Sequence, residues 1–321
     1  LSGGDMRSEY GRTLVELGES NAGVVVLGAD TTDSLKTAAF GKKYPGRFVN
    51  VGIAEANLVS VGAGMAAAGK TAFVSTYAIF LPGRAVDQIR NAVAYPTRGE
   101  RRGLDVKIVV SHGGLSVGAD GGSHQQLEDI AIMRAIPNMR VLIPADAGAV
   151  GALTRAMAAE YGPFYMRMAR SRVPDVHVPA QEFSVGGAIT LREGADCTIA
   201  ACGITVSMAL EAASALAAEG VSARVIDAFS VKPLDEATLE AAARETGCIV
   251  TCEEHNVMGG MGSAVAESVS ERYPVPVRRV GVRDSFGESC RDAEIPALLE
   301  KHGITAVNIA AEARAARRQL G

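Results

Sequence analysis

The sequence predicts an α/β fold in two parts, a parallel-sheet domain followed by a smaller α/β domain. Three observations carry this. Apolar strand-like runs alternate with Ala- and Gly-rich helix-like stretches almost throughout, the rhythm of βαβ units. A polar segment flanked by prolines, Val173-Pro174-Asp175-Val176-His177-Val178-Pro179, interrupts that rhythm near the middle. The length of 321 residues with 48% apolar content suffices for two cores.

In the first half the strand-like runs are 24–27, 72–75, 106–110, 141–143 and 164–168. Helical stretches at 55–68, 85–94 and 147–161 fall between them, and Pro144 and Asp146 stop one strand and start the next helix. The break at 173–179 reads as a linker, which divides the chain into domains 1–178 and 179–321. Beyond it come strands at 197–201, 223–226, 249–252 and 277–280, with helices at 206–218, 235–244 and 262–272 between them. The Ala-rich tail 310–318 reads as a solvated terminal helix.

Charge is nearly balanced at net -4, and Lys and Arg are scattered, so neither a nucleic-acid partner nor an anionic membrane is expected. No apolar window is long enough to span a bilayer, and residues 1–10 lack the order of a secretory signal. Five cysteines, odd in number and mostly within apolar runs, read as reduced core thiols and favour a cytoplasmic setting.

Chemistry concentrates at the ends of predicted strands, where open α/β sheets bind ligands. The loop Ser111-His112-Gly113-Gly114 through Ala119-Asp120-Gly121-Gly122-Ser123-His124-Gln125 follows a strand and carries two histidines and an aspartate among five glycines. Such a set suits proton transfer or anion binding, or is a solvated surface loop. The spacing of His112 and His124 and the absence of His-x-x-x-His or Cys-x-x-Cys argue against a metal site.

Glu55 sits where an apolar strand gives way to a helix: either a helix-start acid, or a partly buried carboxyl that can hold a proton near neutrality. Tyr77 and Phe80 either stack on a planar ligand or pack the core. Arg84 and Asp87 read as surface or interface charges, and Arg167 and Arg170 either lie where a phosphate would meet the sheet edge or belong to a solvated charged loop. Gly259-Gly260-Met261-Gly262 opens a helix, which suits anion binding or tight helix packing.

Val51-Gly52-Ile53-Ala54-Glu55, the loop from His112 to Gln125, Arg134-Ala135-Ile136-Pro137-Asn138-Met139 and Pro144-Ala145-Asp146 together resemble the carboxyl-terminal section of transketolase, as a separate β-like subunit of a split enzyme. The resemblance implies a pyrimidine-binding domain followed by a transketolase C-terminal domain, and thiamine diphosphate as cofactor. It implies that Glu55 binds N1′ of the aminopyrimidine, with Ile53, Tyr77 and Phe80 completing the cofactor pocket; Gly83 stands where the family often has a further aromatic. His112, Asp120 and His124 would join Glu55 as catalytic residues, His112 contacting the substrate's hydroxyl or phosphate groups, Asp120 holding a hydroxyl near the cleaved bond and His124 bonding the carbonyl end and shuttling protons. Arg170, Ser34, Arg7 and His112 would meet the substrate's phosphate.

The activity implied is transfer of a two-carbon ketol unit from a phosphorylated ketose to an aldose. No Gly-Asp-Gly occurs in the sequence. The resemblance therefore implies an N-terminal partner subunit that carries this motif and ligates Mg²⁺ or Ca²⁺ at the cofactor's diphosphate, in an α2β2 heterotetramer. Two relatives share the architecture. The 2-oxo acid dehydrogenase β subunit typically lacks the His112 to His124 pattern. Deoxyxylulose-phosphate synthase is similar in Gly-Ala-Asp-Gly-x-x-His-Gln, Lys232-Pro233-Leu234-Asp235, Glu253-Glu254 and Met258-Gly259-Gly260, but its equivalent of His112 is usually not histidine and it is usually one long chain. A non-catalytic regulatory subunit is a third alternative, against which stand Glu55, His112, Asp120 and His124. Gly281 through Ser289 resembles a closing motif of split transketolases.

Overall fold

A computed structural model describes residues 3–320. It divides into two compact units, one formed by residues up to 113 with 132–185, the other by 114–131 with the residues from 186 onward.

In the first unit the strands run parallel in the order Arg140–Leu142, Phe164–Arg167, Val106–Ser111, Thr71–Tyr77, Val24–Gly28, Phe48–Asn50. Val24–Gly28 and Val106–Ser111 are buried along their whole length, as expected of parallel strands covered on both faces. From Val24–Gly28 the chain first adds Phe48–Asn50 on one side and then Thr71–Tyr77 on the other. That reversal is a topological switch point, and it opens a crevice at the carboxyl ends of these strands.

Helix Met6–Ser20 was not evident in the sequence; Asp5 caps it by accepting from Arg7 N at 3.1 Å. Met6, Tyr10 and Leu14, four residues apart, form its buried face, and the Tyr10 hydroxyl bonds Ser75 Oγ at 2.7 Å inside the core. Lys107 is also buried. Its ammonium donates to the carbonyls of Glu160 and Gly162 at 2.6 and 2.9 Å and pairs with Asp105 at 2.7 Å. Burial still pushes its pKa down to about 8.

Asp146 joins two segments of this unit. One carboxylate oxygen caps helix Ala147–Ala159 by accepting from Ala149 N at 2.8 Å. The other accepts from the backbone N–H groups of Val176 and His177 at 2.9 and 3.0 Å and pairs with His177 Nδ1 at 2.8 Å. Burial opposes the charge, but the bonds from His177, Ala149 and Val176 outweigh it and hold the carboxyl at about 2. The segment read as the interdomain linker is thus bonded to Asp146 at 176 and 177.

The second unit's sheet has the order Val277–Val282, Ile249–Asn256, Cys197–Ala201, Ala223–Asp227, Ile189–Arg192, parallel except for the last strand. Two expectations need correction here. The Ala-rich tail is not solvated: helix Ala306–Arg317 buries Ile309, Ala310, Ala313 and Ala316 against helix Thr205–Ala218 and the sheet. Small side chains at near-helical spacing formed a packing face that contains almost no strongly apolar residue. In the first unit the helix expected at 85–94 begins earlier, at Phe80. It breaks at Ala85, where φ is -131°, and continues as a π-type turn over Ile89–Ala94.

Candidate active site

Glu55 is the first residue of helix Glu55–Ala67, which follows the carboxyl end of strand Phe48–Asn50. Asn50 shapes the approach: its Oδ1 accepts from Asp30 N at 3.0 Å and Gly52 N at 3.1 Å, and Gly52 takes the left-handed φ of +76° that such a turn needs. The Glu55 side chain is only 6% exposed, so it is no solvated helix-start acid. Its Oε1 accepts from Arg84 Nη1 at 2.9 Å, while the Arg84 side chain is 53% exposed and its guanidinium lies 4.2 Å from the Phe80 ring centre. Arg84 is thus exposed, as a surface or interface charge is expected to be, and it also pairs with the buried Glu55. Its spacing from Phe80, four residues along one helix, was the available signal.

Tyr77 ends strand Thr71–Tyr77 and Phe80 begins the next helix. The Tyr77 ring lies 5.6 Å from Phe80 and 3.8 Å from the His112 imidazole, centre to centre. These three rings form one aromatic wall, half-buried at Tyr77 and Phe80. His112 itself is buried with a left-handed φ of +64°, and its Nδ1 bonds Ser111 Oγ at 2.7 Å, which sets the ring's orientation. A Cβ on Gly113 would overlap the Arg167 side chain, which explains a glycine directly after His112. Ile53 stands 76% exposed on the turn before Glu55.

Arg7 and Ser34 come together although 27 residues separate them. Arg7 Nη1 donates to both the carbonyl and the hydroxyl of Ser34 at 3.4 Å, and its Nε lies 3.6 Å from Asp5. Arg170 is half-buried, three residues past strand Phe164–Arg167. Glu55, Tyr77, His112 and Arg170 thus all follow the carboxyl ends of parallel strands.

A buried carboxylate paired with a guanidinium that rests on an aromatic ring suits a flat nitrogen heterocycle: rings can match its faces and the carboxylate a ring nitrogen. The description "transketolase, pyrimidine binding domain" matches residues 3–175, and "transketolase, C-terminal domain" matches residues 186–309. The chain belongs to the transketolase family. It is 41% identical over 304 residues to the 6-deoxy-6-sulfo-D-fructose transketolase subunit of Clostridium sp. (strain MSTE9), covering 95% of this chain and 92% of that one. It is 39% identical over 279 residues to an apulose-4-phosphate transketolase subunit of Phocaeicola vulgatus, covering 87% of each. A solved structure described as a split gene transketolase, inactive β4 tetramer, superposes with a TM-score of 0.88 at 47% identity, over 99% of both chains. Coverage of this kind makes the chain a split-transketolase-type C-terminal subunit.

The remaining candidates of this transketolase chain, Asp120 and His124, belong to the second unit, because the loop that begins at Ser111 passes into it after Gly113. Asp120 is exposed, and His124 is half-buried with Nδ1 3.0 Å from Ser123 Oγ. Of the readings of Gly259 through Gly262, anion binding gives way. The Glu253 carboxylate accepts from Met261 N at 2.7 Å and Gly262 N at 2.8 Å, so the chain's own side chain fills the start of helix Met261–Arg272.

Cys197, Cys202, Cys248 and Cys252 are buried. Burial pushes the thiols of Cys197 and Cys252 up to about 12, which removes them as nucleophiles. Among the described residues no group of three or more His, Cys, Asp or Glu is placed to hold a metal ion, and no helix is long and apolar enough to cross a membrane.

Proposed function

We propose that this chain is the C-terminal subunit of a split transketolase that moves a two-carbon ketol unit from an anionic ketose, a phosphorylated one first, to an aldose. A buried Glu55 paired with an Arg84 that rests on Phe80, whose ring lies next to Tyr77 and through it to His112, is the observation that carries the reading. Thiamine diphosphate, when bound, supplies the electron sink for breaking a carbon–carbon bond. Glu55 would hold the aminopyrimidine N1′ and exchange a proton with it, a task that needs a carboxyl and not a permanently charged group. Tyr77 and Phe80 would pack on the ring and Ile53 would close its edge.

His112, Asp120 and His124 would hold the substrate's hydroxyl and carbonyl groups. Arg7, Ser34, His112 and Arg170 would meet its anionic end; the approach of Arg7 to Ser34 supports that grouping. The names of two relatives carry a sulfonated ketose and a phosphorylated pentulose, so an anionic terminus is the shared substrate feature.

Mg²⁺ or Ca²⁺ would come on an N-terminal subunit carrying Gly-Asp-Gly, in an α2β2 assembly working in the cytoplasm. The domains would divide at 178/179, just after His177. The test is reconstitution with such a subunit, thiamine diphosphate and Mg²⁺, followed by a screen of ketose donors. Ketol transfer that needs both chains is expected. Acyl transfer to lipoate in its place would overturn the reading.

A further inference from the structure

We propose that Glu254 is a positioning residue for the substrate loop, fastening residues 114–126 within the second unit so that Asp120 and His124 are presented in one geometry. The proposal rests on the reading of that loop as substrate-holding. Strand Ile249–Asn256 carries two adjacent buried glutamates, Glu253 and Glu254, and successive strand residues face opposite sides. Glu253 turns to the start of helix Met261–Arg272. Glu254 turns to the loop.

Its carboxylate accepts the backbone N–H of Ser116, and the Ser116 hydroxyl donates to its other oxygen at 3.1 Å. Gly114 makes this approach possible, since it has a φ of +83° and a Cβ there would overlap the Glu254 carboxyl. A buried carboxylate is costly unless its oxygens are hydrogen-bonded, and bonds from backbone N–H to a charged acceptor are stronger than neutral ones. Glu254 thus fixes the loop's main chain, not merely a side chain.

The closing segment holds the other side of the loop. Gln125 Nε2 donates to the carbonyls of Leu115 at 2.9 Å and Glu288 at 3.0 Å. Ser289 Oγ donates to the Ala119 carbonyl at 2.8 Å, and Cys290 N to Gly118 O at 3.3 Å. Gly122 leaves room for the Gly287 carbonyl, and Gly121 for Ser289. The loop is therefore clamped at its base and flank, while Asp120 stays exposed near its tip. A residue that only stabilised the fold would have no reason to act on substrate affinity. One that sets this loop's geometry does.

Glu254→Gln and Ser116→Ala test the proposal in the full chain, alone and paired with the N-terminal subunit. Amide hydrogen exchange over 115–119 should rise about tenfold in Glu254→Gln and less in Ser116→Ala, with the amides of 249–252 unchanged. In the pair, KM for the ketose should rise about fivefold to tenfold while kcat stays within about twofold. Unchanged loop exchange, or faster exchange with unchanged KM, would overturn the proposal. A wild-type pair with no ketol transfer would sink the substrate reading on its own, and the exchange result would still decide whether Glu254 fastens the loop.

Discussion

Glu55 and Glu253 are both buried glutamates, the first opening a helix and the second reaching a helix start from a strand, yet they are held in opposite ways. Glu253 is bonded to the fixed backbone N–H groups of Met261 and Gly262. Glu55 is bonded to the end of a half-exposed arginine that also rests on Phe80. A carboxylate locked onto backbone cannot change partners without unravelling the helix. One held by a flexible side chain at a sheet's carboxyl edge can. The partner, more than burial, separates the carboxylate suited to chemistry from the one suited to structure.

Substitutions sharpen that contrast. Glu55→Ala should cost the reconstituted pair about 10²- to 10⁴-fold in ketol transfer, the range for loss of a proton-exchanging group, with little change in thermal unfolding. Glu253→Ala should do the reverse, destabilising the chain by about 1–3 kcal/mol in denaturant unfolding because two helix-start N–H groups lose a buried acceptor. An active, equally stable Glu253→Ala protein would break the comparison.

Asp146, another backbone-locked carboxylate, adds a pH signature. Its folded pKa of about 2 lies below the ordinary 3.8, so it stabilises the fold by about 2 kcal/mol. Because the folded value is the lower one, this contribution is complete above pH 3.8 and is lost as pH falls through 2. Asp146→Asn should therefore be less stable than wild type at pH 7, and the two should converge near pH 2 in denaturant titrations. The smallest effect is expected for Arg84→Lys, which keeps the charge beside Glu55 and loses the stacking on Phe80. Calorimetry should show less than about 1 kcal/mol of change.

Much of the fold was legible because parallel strands buried on both faces appear as short apolar runs. Val24–Gly28, Val106–Ser111 and Cys197–Ala201 are such runs, and the site residues follow strand ends where glycine and polar residues cluster. Helix Met6–Ser20 was hidden because its buried positions include Gly11, Thr13 and Gly18, which carry no apolar signal. Helix Ala306–Arg317 was misread for a related reason, since buried alanines look the same as solvated ones. The partners of Arg84 and Glu254 were illegible in principle. Glu55 lies 29 residues from one and Ser116 lies 138 from the other, and no local pattern links them. Membership of residues 114–131 in the second unit depends on the same kind of distant contact.

The most direct test of the account is the ketol-transfer rate of the Glu55→Gln chain paired with its N-terminal subunit, since glutamine keeps the size and the hydrogen bond but cannot exchange a proton. The account predicts a loss of at least about 10²-fold with an unfolding temperature close to wild type. A Glu55→Gln pair that transfers the ketol unit at the wild-type rate would contradict it.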